Sequence, residues 1–288
     1  MPLSYIDAHN HLQDEWLAPH LDEVAQQLTA LGLHAAVVNG TCEGDWPRVS
    51  ELSRQFRWIK PSFGLHPWHV GNRTKNWREN LQAVLAAHPD AAIGEIGLDR
   101  WILERARPDD PRLTGLRRAP LEEQIAVFTD QLQWAASENR AVTIHCLDAW
   151  GALADTLRTA RLPARGFLLH AYSGAAEMVK AFAERGAYFS FNGSFLAERY
   201  ARHRDTFKAV PLDRLLVETD APAMPLPQPW RTYKLPPSSD GSTINHPGNI
   251  EAAYTGLAAL IGVAKEALVE TVRENFERLF GATSASTR

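Results

Sequence analysis

The chain contains few cysteines and lacks the signals of several classes of protein. Only Cys42 and Cys146 occur in 288 residues, and neither belongs to a Cys-x-x-Cys pair, so neither a disulfide framework nor a cysteine-rich zinc site is indicated. No apolar run reaches the length of a membrane span. The first residues lack the basic segment and apolar run of a signal peptide. We therefore expect a cytoplasmic protein that does not associate with membranes.

Two further absences concern nucleotides and nucleic acids. The formal net charge of −4 gives no basic field for long-range capture of nucleic acid. A short nucleic acid bound in a metal-filled cleft remains compatible with it. No G-x-G-x-x-G follows the first predicted strand and no P-loop is present, which disfavours the nucleotide-binding folds that carry these motifs.

Short apolar runs rich in β-forming residues alternate along the chain with amphipathic helical patterns. The eight runs read "SYIDAHN", "HAAVVNG", "WIKPSFGLH", "AAIGEIGL", "AVTIHC", "GFLLHAYS", "AYFSFNG" and "LLVETDA". Strands that alternate with helices predict βαβ units and a parallel sheet. Eight units in fewer than 300 residues predict a (β/α)8 TIM barrel, possibly distorted, formed by one domain over residues 1–281 with a flexible tail at 282–288. A doubly wound open sheet is the alternative fold.

Two predicted connections are too long to be ordinary loops. One runs from Asp99 to Ala119 after the fourth strand, and the other runs from Ala221 to His246 after the eighth. Long loops in compact domains are often lids or mobile functional segments. The first connection contains six arginines, which are Arg100, Arg105, Arg107, Arg112, Arg117 and Arg118. The alternative interpretation is a solvated surface on which these arginines pair with Glu104, Asp109 and Asp110.

The first strand contains the motif "IDAHNH". Side chains two residues apart on a strand point to the same face, so Asp7, His9 and His11 are expected to lie close together. Two imidazoles on one face can hold a metal ion. By itself, the motif is equally compatible with a polar strand end whose histidines are hydrogen-bonded.

Ionisable residues end six of the eight predicted strands. The histidines are His9, His11, His66, His145 and His170, with His69 just beyond His66, and the acids are Glu95, Asp99, Glu218 and Asp220. Polar groups at the C-terminal ends of barrel strands are typical of catalytic sites. Imidazole with carboxylate ligands favours Zn²⁺ or Mn²⁺ over Mg²⁺. The set exceeds what one catalytic ion needs and suits two bridged divalent ions.

Six motifs, in this order, resemble the TatD-like metal-dependent hydrolases of the amidohydrolase superfamily. They are "DAHNH", "GLHPWH", "IGEIGLD", "TIHCLDA", "LLHAYSG" and "LVETDAP". The resemblance covers nearly the whole chain and implies a (β/α)8 barrel with two divalent ions. It implies that one ion is held by His9, His11, Glu95 and Asp220, and the other by Glu95, His145 and His170. Glu95 would bridge the ions, Asp220 would also orient or deprotonate the attacking water, and His66 would contact substrate.

Three departures from the family pattern fall in the substrate-binding region. Leu147 stands where the family usually has an arginine, a natural partner of phosphate. The sequence after the eighth strand reads "INHPGN" in place of the usual "RNEP", and the segment after "GLD" is longer and richer in arginine. We expect Arg100 and Arg105 to supply the phosphate contacts that Leu147 cannot.

The leading hypothesis is a two-metal hydrolase of phosphodiesters, a deoxyribonuclease or small phosphodiesterase. The alternative is a hydrolase of an amide, ester or lactone that uses the same ions, which the loss of the family arginine favours. A binding protein descended from such enzymes would have broken metal ligands, whereas all six are present. The expected substrate is a small molecule or a short single-stranded nucleic acid. The oligomeric state stays open, and a monomer is plausible.

Overall fold

The computed structural model describes residues 3–282, in which eight strands alternate with helices. The expected tail at 282–288 lies, except for its first residue, outside the described part. The strands are β1 Tyr5–Asn10, β2 Leu33–Asn39, β3 Ile59–Phe63, β4 Ala92–Asp99, β5 Val142–Leu147, β6 Phe167–Leu169, β7 Ala187–Asn192 and β8 Leu215–Glu218. The α-helices are α1 Leu21–Leu31, α2 Trp46–Gln55, α3 Trp77–Ala87, α4 Trp101–Glu104, α5 Leu121–Glu138, α6 Trp150–Thr159, α7 Ala176–Glu184, α8 Ala201–Thr206, α9 Ile250–Ile261 and α10 Lys265–Phe280.

All eight strands form one parallel sheet in sequence order. The first and last strands meet at their C-terminal ends, where the backbone N–H of Asp220 donates to the carbonyl of His9 at 2.9 Å. The N–H of His11 donates to the carbonyl of Ala221 at 2.7 Å. The expected (β/α)8 barrel is therefore confirmed.

The core follows from the strand sequences. Almost every residue of the strands is buried, and the interior is filled mainly by branched aliphatic side chains and phenylalanines such as Phe167, Phe189 and Phe191. Burying one such side chain contributes about 1.5–3 kcal/mol relative to leaving it in water. This packed interior leaves the C-terminal strand ends as the place for polar groups.

Gly97 lets β4 approach β5 closely. Its φ is +148°, and a Cβ at this position would lie 1.9 Å from the carbonyl oxygen of His145. Only glycine fits such a position, because any side chain would meet the backbone of the neighbouring strand. The close approach fixes β4 and β5 side by side at the end that carries ionisable residues.

The two long connections have little regular structure. The first holds the short helix α4 and a 3-10 turn at Pro111–Leu113, and the second holds a 3-10 turn at Gln228–Trp230. Both follow the C-terminal ends of strands, as the sequence predicts, and they border the same end of the barrel.

Within residues 3–282, no single helix is long and apolar enough to cross a bilayer. The segments Pro247–Ile261 and Lys265–Phe280 are together long and apolar enough to span a bilayer, but the chain bends by 106° between them.

Candidate metal centre

The carboxylate of Glu95 lies at the centre of a side-chain cluster at the C-terminal strand ends. Its Oε2 atom is 3.4 Å from Nε2 of His9 and 3.3 Å from Nε2 of His11. Its Oε1 atom is 3.0 Å from Nδ1 of His145 and 2.9 Å from Nε2 of His170. Each oxygen of one buried carboxylate therefore faces a different pair of imidazoles.

Asp220 reaches the same cluster from the segment after β8. Its Oδ1 atom is 3.5 Å from Nε2 of His9 and 3.4 Å from Nε2 of His11. The backbone of Asp220 has a φ of +55°, in the left-handed region that aspartate tolerates better than most residues. This turn, together with the hydrogen bond to the His9 carbonyl, directs the carboxylate back over β1. Asp220 thus joins the histidine pair that faces Glu95 Oε2.

His66, which follows β3, lies on the other side of Glu95. Its Nε2 atom is 3.4 Å from Glu95 Oε1, and its ring centroid is 4.4 Å from that of His145. Burial lowers the pKa of His66 to about 4, so this imidazole is neutral at physiological pH. The expected substrate contact therefore lies beside the His145 and His170 pair.

Asn39 orients the histidine pair of β1, and the sequence analysis missed it. The carbonyl of Asn39 is 2.9 Å from Nδ1 of His11, so Nδ1 donates a hydrogen bond to it and Nε2 faces the cluster. The side-chain nitrogen of Asn39 is 3.1 Å from Nδ1 of His9. Asn39 is the last residue of β2, so its place at a strand end could have identified it. The sequence analysis considered only ionisable residues at strand ends and therefore did not include a neutral amide.

Asp99, a strand-end acid to which the sequence assigned no role, holds His145. Its Oδ2 atom is 3.1 Å from Nε2 of His145 and also accepts a hydrogen bond from the Trp68 indole at 2.6 Å. The N–H of Ile102 donates to the other oxygen at 2.9 Å. A carboxylate behind a histidine fixes the tautomer and orientation of the ring. With Asp99 at Nε2, the other ring nitrogen of His145, Nδ1, faces Glu95 Oε1.

The charges of the cluster are strongly coupled. Burial alone would raise the pKa of Glu95, but the neighbouring His170, His66 and His9 hold it well below its usual range. Burial lowers the pKa of His9 to about 3. Burial also acts to lower the pKa of His145, yet the hydrogen bonds that its ring donates to Asp99 and Glu95 outweigh burial and raise the pKa to about 9. The buried carboxylates thus strongly stabilise positive charge on neighbouring groups.

The donor atoms fit divalent metal ions. Three groups of ligand atoms each lie within 4.8 Å of one another, and they are His9, His11 and Glu95; His66, Glu95 and His145; and His9, His170 and Glu218. Imidazole nitrogens mixed with carboxylate oxygens suit Zn²⁺ and similar transition metals. A bound cation would neutralise the carboxylates of the cluster, as protons on the imidazoles do when no metal is bound.

The two arginines expected to contact substrate lie at the edge of the site. The Arg100 side chain is 40% exposed, with Nε 3.5 Å from Glu104, and the Arg105 side chain is 69% exposed, with Nη1 3.4 Å from Asp148. Within residues 3–282, neither guanidinium forms a hydrogen bond or ion pair with the six expected metal ligands. Asp148 directly follows Leu147, so Arg105 lies near the position of the missing family arginine.

Comparisons with known proteins agree with this arrangement. The family model described as TatD related DNase matches residues 6–281. The uncharacterized metal-dependent hydrolase YabD of Bacillus subtilis is 26% identical over 275 residues, which cover 95% of this chain and 98% of the relative. The 3'-5' ssDNA/RNA exonuclease TatD of Escherichia fergusonii is 28% identical over 273 residues, covering 94% and 96%.

A solved structure shows the same likeness in three dimensions. The crystal structure of YjjV, a TatD homologue from Escherichia coli K12, superposes with a TM-score of 0.82 at 25% identity, covering 98% of this chain and 100% of that one. The family model spans nearly the whole barrel, including every strand that carries a cluster residue. This chain therefore belongs to the TatD related DNase family and is a metal-dependent hydrolase.

Proposed function

We propose that this protein hydrolyses phosphodiester bonds, in short single-stranded nucleic acids or small phosphodiesters, with two divalent ions held at the cluster around Glu95. The observation that carries the proposal is the division of the Glu95 oxygens between two pairs of imidazoles. A carboxylate shared in this way can bridge two ions about 3.5–4 Å apart. The exonuclease activity named for the Escherichia fergusonii relative supports the choice of substrate.

In this proposal, His9, His11, Glu95 and Asp220 hold one ion, and Glu95, His145 and His170 hold the other. When bound, the ions would supply the positive charge that polarises the phosphate and makes the attacking water more acidic. Asp220 would orient this water and accept its proton, since its carboxylate faces Nε2 of both His9 and His11. Zn²⁺ or Mn²⁺ fits the ligand set better than Mg²⁺.

The test combines metal content with substrate class. Elemental analysis of the purified protein is expected to find close to two divalent ions per chain. The metal-loaded protein should cleave a single-stranded oligonucleotide and a small phosphodiester, but not a carboxylic ester or a lactone. Glu95→Gln, which weakens the bridge, should lose both metal and activity. Absence of bound metal, with no gain on adding Mn²⁺ or Zn²⁺, would disprove the two-metal site, and cleavage of the ester or lactone alone would make the carbonyl hydrolase the better hypothesis.

We also propose that His66, Arg100 and Arg105 contact the substrate. Arginine binds phosphate with charge-assisted hydrogen bonds of about 1.5–3 kcal/mol each. The double variant Arg100→Ala, Arg105→Ala should therefore raise KM for a phosphodiester by about tenfold or more, because 1.4 kcal/mol corresponds to one decade. Kinetics on a neutral ester serve as the control where any such activity is found. An unchanged KM would show that both arginines are surface charges paired with Glu104 and Asp148.

A further inference from the structure

Trp68 borders the metal cluster on the side of His66 and His145. Its backbone N–H donates to Nδ1 of His66 at 3.2 Å, and its indole N–H donates to Asp99 at 2.6 Å. Asp99 in turn contacts His145. The indole ring is therefore fixed in place by two residues that each touch a member of the cluster.

Two more planar groups contact this ring. Trp101, the first residue of α4, stacks on Trp68 with ring centroids 6.0 Å apart and planes inclined by 23°. The Arg112 guanidinium lies over both rings, 4.9 Å from the centroid of Trp101 and 5.8 Å from that of Trp68. Asp110 holds this guanidinium through hydrogen bonds of 2.9 and 2.7 Å. We call Trp68, Trp101 and Arg112 the stacking platform.

The platform is partly open to solvent. Both tryptophans are half-buried, and the Arg112 side chain is 54% exposed. By contrast, the large aromatic residues that serve the barrel core, such as Phe189 and Phe191, are fully buried. Core packing alone does not explain why an aromatic surface is partly exposed to solvent beside the ionisable cluster.

Stacked indoles and a guanidinium plane are the groups on which proteins stack unpaired nucleobases. We infer that the stacking platform binds the base of a nucleotide next to the phosphodiester that is cleaved, which gives the site a preference for single strands. The inference rests on the proposed function and adds the residues that would contact a base of the substrate. It also accounts for binding by a chain with no basic field, because stacking needs little net positive charge.

The experiment compares oligonucleotides that differ by one base. A single-stranded DNA of mixed sequence is compared with versions that carry an abasic analogue at each of the last three nucleotides of either end. For the parent enzyme we expect KM to rise at least tenfold when the abasic position coincides with the platform. In Trp101→Leu, which keeps an apolar side chain but has no ring, the difference between base and abasic substrates should fall to about twofold or less. Trp101→Tyr should restore most of it, because a tyrosine ring can still stack.

Two controls separate stacking from general damage. Trp134→Leu changes an indole on α5 that donates to Glu138, away from the cluster, and should keep the parental difference. Binding is also measured by fluorescence anisotropy of labelled oligonucleotides in EDTA, where no cleavage occurs, so the base effect is seen even if the enzyme is inactive on DNA.

The outcomes distinguish the two proposals. If the parent cleaves DNA and Trp101→Leu keeps the full preference for base over abasic substrate, the stacking platform is disproved and the proposed function stands. If the metal-loaded parent cleaves no phosphodiester, the proposed function fails. In that case, absence of a base effect in the anisotropy measurement overturns the platform as well, whereas a base effect lost in Trp101→Leu supports it as a nucleobase-binding surface.

Discussion

Asp220 has two proposed roles, as a metal ligand and as the group that accepts a proton from the attacking water. Its carboxylate lies against Nε2 of both His9 and His11, although it belongs to the segment after β8 and is far from them in sequence. Asp220→Asn keeps the size and shape of the side chain but removes its negative charge and most of its basicity. General-base assistance is typically worth about 10²–10⁴-fold in rate. We expect kcat to fall by at least that factor while the fold is retained, as measured by steady-state kinetics and circular dichroism.

Asp213→Asn is the matched control for this variant. Asp213 precedes β8, is 69% exposed and lies 3.8 Å from Arg214. The same chemical change there should leave kcat at the parental value. Near-normal turnover of the Asp220 variant would contradict its role in proton transfer.

Asp99 contacts His145, one of the proposed metal ligands, and would act on a metal through this ring. Partners of this kind typically change metal affinity by about 10–100-fold when they are removed. We expect Asp99→Ala to weaken metal binding by this factor, measured by competition with a chelator. Asp99→Asn should weaken it less, because the amide oxygen still accepts from the His145 Nε2–H.

A spectroscopic measurement separates this positioning role from a loss of packing. The ¹⁵N chemical shifts of His145 report its protonation, and Asp99→Ala should lower the pKa of this ring in the metal-free protein, because one of the two carboxylates that raise it is removed. If both variants bind metal like the parent and the pKa of His145 is unchanged, Asp99 serves only the fold.

At the scale of elements, the close contact of β4 with β5 depends on Gly97, which has no side chain. Gly97→Ala would place a methyl group against the carbonyl oxygen of His145, on the strand that carries this expected ligand. Because both clashing partners are held in a sheet, we expect a loss of at least about 3 kcal/mol in the free energy of unfolding, measured by urea titration. Metal affinity should fall with it, since Glu95 and His145 would move apart.

Gly151, the second residue of α6, is the control position. A Cβ there meets no atom within 4 Å, and alanine in a helix gains up to about 1 kcal/mol over glycine. Gly151→Ala should therefore be neutral or slightly stabilising. Equal stability of the two variants would show that β4 and β5 can separate without cost.

The order and type of the strands could be predicted because each strand is a short apolar run bounded by polar residues. Parallel strands bring their C-terminal ends to one face, so His9, Glu95 and His145 could be placed together without coordinates. The helical patterns were equally clear, since α5 and α7 show amphipathic repeats that end at polar residues. Periodicity and connection length were sufficient at this level.

The arginine-rich connection could not be predicted in the same way. Its six arginines look alike in sequence, yet Arg112 lies over two indoles and Arg105 faces Asp148. Arg118 donates to the backbone carbonyls of Ala106 and Arg107. These pairings depend on how an irregular segment folds back on itself, and neither residue type nor spacing contains that information. The contact of Asn39 with His9 and His11 was missed for a related reason, because it uses an uncharged side chain and a backbone carbonyl.

At the scale of the whole molecule, the cluster ties distant strands together. The expected ligands come from β1, β4 and β5 and from the segments after β6 and β8. A ligand that binds only the folded state at 100 times its dissociation constant stabilises it by about 2.7 kcal/mol. For a protein of this size that corresponds to a rise in Tm of about 5–10 °C.

We therefore expect Zn²⁺ or Mn²⁺ to raise the melting temperature of the metal-free protein, as measured by calorimetry. Sodium chloride at equal ionic strength is the control and should have little effect. Glu95→Gln should lose most of the metal-dependent rise. An equal Tm with and without divalent ions would mean that the cluster does not bind them in the folded state.

The seam between β1 and the segment after β8 has a consequence for biosynthesis. Asp220 follows His9 by 211 positions, so His9 leaves the ribosome well before it. A nascent chain that has completed β1 to β4 already presents His9, His11 and Glu95, but the seam that aligns them with Asp220 does not yet exist. With the proposed ligands, full metal loading would require synthesis past Ala221, and truncated translation products would carry an incomplete, weakly binding set. Metal occupancy would consequently report the completeness of the polypeptide, and two separately expressed halves should acquire a full complement of ions only after they reassociate.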